Sequence, residues 1–237
     1  KIRERIHDPV IAEKMCPDYP ILTRRLSPET DYLEAFNRSN VELVDLNERP
    51  ISRFTATGIV VGETEIELDT VIFATGFDVM TGAMDRIDIR GRDDEALKAR
   101  WAEGLTSHLG MMTHGFPNLF WINGPHSPFY NPILLAEFQC DFIADLIADM
   151  HSQELDVLEA NATAEDEYVQ LTNNIGNSTL YPESENYYMG DNIPGKARAT
   201  LFWFGGFPFY RKQCRLAREE WAGFQVGSLS ECNERAS

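Results

Sequence analysis

Between Pro132 and Met150 the apolar residues Leu134, Leu135, Phe138, Phe142, Leu146, Ile147 and Met150 recur at helical spacing. Asn131 can accept the first free amides of that helix, and Pro132 suits its first position. A second helix is expected from about Thr163 to Ile175. Val41-Glu42-Leu43-Val44 alternates and predicts a strand, and Gly58–Gly62 with Glu65–Phe73 predicts a hairpin. The run from Leu68 to Ala74 turns continuously apolar, the pattern of a strand buried on both faces, and so does Asn118 to Asn123. The first of these leads into Thr75-Gly76-Phe77-Asp78, a small-residue turn that another group can approach closely. Residues 1–20 predict a frayed helix and a turn, and Tyr32 to Phe36 a helical turn. From Tyr181 to Tyr210 no clean period exists, but the density of aromatics predicts an ordered wrap over a core.

Strand, loop and helix in this order point to an α/β class with a mixed sheet, of the nucleotide-binding kind. Yet neither GxGxxG nor GxxxxGK[ST] occurs among the 16 glycines. The chain therefore lacks the usual means of holding a pyrophosphate at a helix N-terminus.

Charge and composition narrow the classes. With 38 acidic residues against 21 basic, the formal net charge is -17, which disfavours nucleic acid and anionic membrane surfaces as partners. The helix from Pro132 carries Glu137, Asp141, Asp145 and Asp149 and is not a membrane span. Cys16, Cys140, Cys214 and Cys232 are widely spaced, which predicts free thiols in a reducing, cytoplasmic setting. The five histidines form no metal-binding pair, so no metal site is expected. The chain starts at Lys1 without an initiator Met or a signal peptide, and it is expected to be part of a longer protein.

Several separated blocks then appear in a telling order: Thr23-Arg24-Arg25-Leu26, Asp31-Tyr32, Phe36-Asn37-Arg38-Ser39-Asn40-Val41, Phe73-Ala74-Thr75-Gly76-Phe77-Asp78, Ile87-Asp88-Ile89-Arg90-Gly91, Gly115-Phe116-Pro117-Asn118-Leu119-Phe120, Gly124-Pro125-His126-Ser127-Pro128 and Asn192-Ile193-Pro194-Gly195-Lys196. Together, over residues 14–214, they resemble the C-terminal half of a type I Baeyer–Villiger monooxygenase, the group containing cyclohexanone and phenylacetone monooxygenases. The resemblance implies an incomplete two-dinucleotide-binding-domain, Rossmann-like flavoprotein. It places the end of a helical insert at 1–21, the C-terminal part of the NADP-binding domain at 22–70, and the C-terminal part of the FAD-binding domain with a wrapping extension at 71–237. The missing glycine fingerprints would lie in an N-terminal half of the same protein.

The resemblance also implies roles. Arg25 aligns with the arginine beside the flavin that stabilises an anionic oxygenated intermediate, a task suited to an always-charged guanidinium in a dry pocket. Arg24 aligns with a basic position at the 2′-phosphate of NADPH. Thr75 and Gly76 resemble the linker between the FAD and NADPH domains. Asn131, Pro132 and Ile133 begin the helix that points at the pyrimidine edge of the flavin, where its dipole favours negative charge. Proline donates no N–H, so Ile133 takes the part of donor. Tyr187 stands where the family usually has a Trp near the nicotinamide-side ribose, and tyrosine keeps a stacking ring. Ser127 to Tyr130 resembles the loop that shapes the ketone pocket. Lys196 is left open between a phosphate contact and a loop cation, and the Phe202–Phe207 run is read as core.

The implied function is an FAD- and NADPH-dependent monooxygenase that uses O2 to convert a ketone to an ester or lactone. This chain alone is expected to be inactive. Two alternatives stay open: an oxygenase acting on nitrogen or sulfur, and a non-catalytic domain that binds a partner through its acidic surface.

Overall fold

A computed structural model describes residues 1–228, so Cys232 lies outside the described residues. The chain divides after Gly76 into two compact units.

In the first unit, α1 (Ile2–Arg5) and α2 (Pro9–Lys14) are separated at Asp8, whose carboxylate accepts the Val10 and Ile11 amides and caps α2. A short helix α3 (Tyr32–Ala35) follows. Asn37 ties these pieces together: its Oδ1 accepts the His7 amide at 2.8 Å and its Nδ2 donates to the Arg5 carbonyl at 2.8 Å. Arg5 also reaches Glu34 at 2.5 Å and Glu29.

Strands β1 (Ile51–Phe54), β2 (Gly58–Val61) and β3 (Thr64–Glu67) make one antiparallel sheet in that order. Val61 pairs with Thr64, leaving Gly62-Glu63 as a two-residue turn, and Gly62 adopts the positive φ of 60° that such a turn demands.

The hairpin is thus where the sequence predicts it, but its second strand is shorter. Leu68 donates to the Thr57 carbonyl at 2.9 Å, and no ladder continues beyond it. The segment expected as a doubly buried strand instead leaves Ile72 at 86% and Phe73 at 69% exposure. Such a strand needs neighbours on both edges and cover on both faces, and neither surrounds it here. Val41–Val44 is no strand either: the Val41 amide closes a turn on the Arg38 carbonyl, and its alternation reflects partial burial without pairing.

The second unit contains α4 (Leu97–Glu103), α5 (Pro132–Ser152), β4 (Val157–Ala160), α6 (Ala162–Asn177), α7 (Phe207–Arg218) and β5 (Phe224–Gly227). β4 and β5 pair antiparallel, from Val157↔Gly227 to Ala160↔Phe224. The mixed helix–strand class stands, with its sheets as two small antiparallel ladders. The strand expected over Asn118–Asn123 is absent, because Asn118 (φ 57°) and Asn123 (φ 53°) turn the backbone at both ends. Asn118 still imitates a ladder: its N–H donates to the Leu158 carbonyl at 2.8 Å, and its Oδ1 accepts the Leu158 amide at 2.9 Å.

The core lies between α5, α6, α7 and the wrap. Leu135, Phe142, Leu146 and Met150 present one buried stripe of α5, while Leu134 and Ile147 stay exposed. Trp203, fully buried, stacks on Tyr168 at 5.3 Å and donates its Nε1 proton to the Gly206 carbonyl at 3.0 Å. The aromatic run of the wrap is therefore core, as its composition suggested. Its end, however, is the start of α7, a helix the sequence reading did not separate from the wrap.

Two buried carboxylates brace this unit. Glu165 accepts the His114 amide at 2.7 Å and pairs with Arg100 at 2.9 Å. Glu159 pairs with Arg92 at 3.0 Å. Both have the partners that buried charge requires.

Replacing Trp203 with Ala should remove a packed ring and leave a cavity, costing about 3–5 kcal/mol. Urea unfolding checks this, and a loss below about 1 kcal/mol would place Trp203 outside the core.

Candidate functional site

The start of α5 is fixed by Asn131. Its Oδ1 accepts the Ile133 amide at 3.0 Å and the Leu134 amide at 3.2 Å, and its carbonyl accepts the Leu135 amide at 3.0 Å. Pro132 has no N–H. The capped helix start foreseen from Asn131-Pro132 is present, but every amide of the first turn, Ile133 included, is already engaged. What remains for a facing anion is the positive end of the helix dipole.

The loop at 124–130 that enters this helix is held from several directions. The Ser127 hydroxyl donates to the Gly110 carbonyl at 3.1 Å and accepts from Gln139 Nε2 at 3.0 Å. Gln139, buried in α5, also donates to the Tyr210 hydroxyl at 2.9 Å and accepts the Asn123 amide at 2.7 Å. Tyr210 in turn donates to the Leu109 carbonyl at 2.7 Å. The Phe129 amide donates to the Trp203 carbonyl and the Trp203 amide to the Ser127 carbonyl, each at 3.0 Å. Gly110, at φ 67°, packs so closely that a Cβ there would meet Ser127 Oγ at 2.3 Å. The loop is tied down through Ser127, Gln139, Tyr210 and the Trp203 backbone, although the buried Asn123 Oδ1 and Trp121 Nε1 beside it find no protein partner.

His126 lies at the base of the loop. The Ser107 hydroxyl donates to the Pro125 carbonyl at 2.7 Å, leaving its oxygen to accept the His126 Nδ1 proton at 3.1 Å. Tyr168 donates to the His126 carbonyl at 2.9 Å. Burial pushes the His126 imidazole down to about 4, opposed in part by the Thr200 backbone. Burial likewise pushes the Tyr168 and Tyr210 hydroxyls well above the usual tyrosine range, so both remain donors.

Tyr187 opens a short 3-10 turn, Tyr187–Met189, with its ring 4.0 Å from that of Tyr188. Phe129 meets the same Tyr188 edge-on at 5.2 Å. The loop before α5 and Tyr187 thus share one aromatic cluster. Lys196 is committed to an ion pair: its Nζ donates to Asp78 at 2.5 Å and to the Val79 carbonyl at 3.1 Å.

In the first unit Arg24 and Arg25 are both exposed. Thr23 beside them is fully buried, its hydroxyl donating to the Pro20 carbonyl at 2.7 Å. The Arg24 guanidinium lies over the Tyr19 ring at 4.4 Å, while Arg25 has no partner among the described residues. Thr75 and Gly76 are exposed at the end of this unit, Gly76 at φ 91° with no atom within 4 Å of a would-be Cβ.

Sequence reasoning missed Gln139, Tyr210, Ser107 and Tyr168 as supports. Gln139 was findable, because it is the polar residue one turn beyond Leu135 on the buried stripe. Among the described residues no cluster of three His, Cys, Asp or Glu side chains could hold a metal, and no helix is long and apolar enough to cross a membrane. Cys16, Cys140 and Cys214 are free thiols.

No family model matches the chain. A cyclopentanone 1,2-monooxygenase of Comamonas sp. (strain NCIMB 9872) is 39% identical over 234 residues, 96% of this chain and 42% of the relative. A Baeyer–Villiger monooxygenase of Pseudooceanicola batsensis is 40% identical over 222 residues, 93% of this chain and 40% of the relative. The structure of cyclohexanone monooxygenase from Rhodococcus sp. Phi1 bound to NADP+ superposes with a TM-score of 0.91 at 37% identity, covering 96% of this chain and 43% of that one. Along nearly its whole length the chain is similar to one part of Baeyer–Villiger monooxygenases. It spans less than half the length of these relatives. A phenazine N-monooxygenase of Lysobacter antibioticus is also 37% identical over 230 residues, 96% of this chain and 42% of the relative.

Tyr210→Phe should leave the Leu109 carbonyl without its donor and cost about 1–3 kcal/mol in urea unfolding. A variant as stable as the parent would show that the network under the loop contributes nothing. The histidines predict a pH dependence. Burial holds His108 and His126 near 4 in the folded chain, against the ordinary 6.5. Below 6.5 the unfolded state takes up protons that the folded state refuses, so stability is full above 6.5 and falls as the pH drops through 4. Each histidine accounts for about 3 kcal/mol of that fall. Urea midpoints between pH 7 and 4.5 should drop less steeply in His126→Gln, and equal slopes would contradict the assignment.

Proposed function

We propose that the protein to which this chain belongs is an FAD- and NADPH-dependent oxygenase that inserts one atom of O2 beside a ketone carbonyl to give an ester or lactone. The observation that carries the reading is the match along nearly the whole chain to a cyclohexanone monooxygenase solved with NADP+. We infer the same domain division as the sequence suggests: helical insert at 1–21, NADP-binding part at 22–70, FAD-binding part with its wrap at 71–237. The rest of the binding machinery is expected in an N-terminal half of the protein, and the free thiols suit a cytoplasmic location.

The residues fit anionic cofactors. Arg24 and Arg25 are two exposed guanidiniums in a chain of net charge -17. Bound flavin supplies the oxygen-activating redox chemistry and NADPH the hydride. Arg25, a guanidinium with no competing partner among the described residues, holds negative charge at the reacting end. Arg24 pairs with the 2′-phosphate, and its stacking on Tyr19 limits the rotamers it loses on binding. The α5 terminus contributes its dipole through Asn131 and Pro132, with the Ile133 amide retained by the cap. Tyr187 offers a ring face and a hydroxyl to the nicotinamide-side ribose. Thr75 and Gly76, with no side chain crowding the turn, allow close backbone approach at the linker. The braced loop at 127–130 shapes the ketone pocket and excludes water.

The N-oxygenating relative favours one second reading, in which the same scaffold oxidises nitrogen. Offering a cyclic ketone and a heteroaromatic amine as competing substrates separates the two.

Arg25→Ala in the complete protein should abolish oxygenation while flavin stays bound, and ketone turnover retained in that variant would sink the assignment. Arg24→Ala should raise the KM for NADPH about 10- to 100-fold with a smaller change in kcat, the loss expected for one charge-assisted contact. An unchanged KM removes Arg24 from the phosphate site. The 237-residue chain alone should purify without yellow flavin absorbance and should not consume NADPH.

A further inference from the structure

Four of the chain's 21 basic residues, Arg211, Lys212, Arg215 and Arg218, fall within α7, which holds no Asp or Glu. In a chain of net charge -17 this is a local reversal of sign. All four line a surface groove of about 510 Å³ between α7 and α5, and Phe138, Asp141, Phe142 and Asp145 line it from the α5 side. That volume falls in the range of pockets that hold small organic molecules.

The two ends of the groove differ. At one end Arg218 is spent, pairing with Asp145 at 2.5 Å and Asp149 at 2.7 Å. At the other the Arg211 guanidinium lies over the Phe138 ring at 5.7 Å and the Phe207 ring at 6.0 Å. Arg211 makes no hydrogen bond or ion pair among the described residues, and neither does Lys212. Both are exposed, so a ligand in the groove can reach them. Arg215 has only Glu219, at 3.8 Å. A guanidinium held on ring faces keeps its N–H fork free for a planar carboxylate. The half-buried Phe138 ring beside it offers apolar surface to whatever carries that charge.

We propose that this groove binds one small aromatic monocarboxylate, with its charge on Arg211 and Lys212 and its ring against Phe138. A neutral molecule leaves both cations unmatched, and a small inorganic anion leaves the phenyl surface uncovered. Asp141 is exposed in the same wall without an ion pair among the described residues, and its charge disfavours a dianion. The site uses residues of α5 and α7 alone and does not depend on the oxygenase reading.

Calorimetric titration of the chain with 2-naphthoate at low salt tests this. Saturable binding is expected, with a Kd of about 1 mM or below. The neutral 2-naphthamide should bind at least about tenfold more weakly, for want of the charge-assisted contact, and acetate likewise, for want of a ring. Arg211→Gln combined with Lys212→Gln should weaken 2-naphthoate at least about tenfold. Asp141→Asn should tighten it about two- to fivefold by removing a like charge. Lys98→Gln, an exposed cation on α4, should change nothing. Every substituted side chain is exposed, so the fold is not at stake. No saturable binding, equal binding of the amide or of acetate, an unchanged Kd in the double variant, weaker binding in Asp141→Asn, or an equal loss in Lys98→Gln would overturn the site.

Discussion

The second unit depends on one buried carboxamide. Gln139 sits in the apolar stripe of α5, with no exposure, where a leucine would pack as well. Its three hydrogen bonds join α5 to the Asn123 amide, the Ser127 hydroxyl and the Tyr210 hydroxyl of α7. A buried amide is costly unless each donor and acceptor is met. That demand fixes the register of α5 against α7 and the path of the loop at 124–130 together. The loop cannot move without leaving Gln139 unpaired. Its side chains Phe129 and Tyr130 are consequently presented from a rigid base, Tyr130 stacked on Phe207 at 4.5 Å.

The first unit follows a different logic. Its stable parts are a short hairpin and a polar clamp at Asn37, and its apolar surplus lies between Leu68 and Phe73. Ile72 and Phe73 at 86% and 69% exposure are far from the norm for a folded surface. The composition of this stretch is that of an interior strand, and its surroundings here are not an interior. In the same unit Arg24 and Arg25 keep their charge out in solvent, Arg24 against the Tyr19 ring.

Much of this was legible in the sequence where the cause is local. Asn131-Pro132 predicts a helix start because capping is settled within four residues, and the helix begins there. The spacing of Leu135, Phe142, Leu146 and Met150 predicts a buried stripe, which forms. Strands were read less well because pairing is not local. Val41–Val44, Leu68–Ala74 and Asn118–Asn123 have the right composition, yet a ladder also needs a neighbour. Asn118 shows the limit clearly, since its side chain takes a ladder position while its own φ of 57° ends any strand. Gln139 stands out locally as a polar residue on the buried stripe, but its partners do not, since Gln139 and Tyr210 are 71 residues apart in sequence. The family resemblance succeeded where spacing alone did not, since blocks in a fixed order carry information about a fold that no single block holds.

Oxygen insertion next to a carbonyl is the activity proposed for the protein to which this chain belongs. The most direct test supplies the complete protein with NADPH, a cyclic ketone and 18O-labelled O2, and weighs the product by mass spectrometry. One labelled oxygen in a lactone is the predicted result. A product without the label, or none at all from a protein that holds its flavin and oxidises NADPH, would contradict the account.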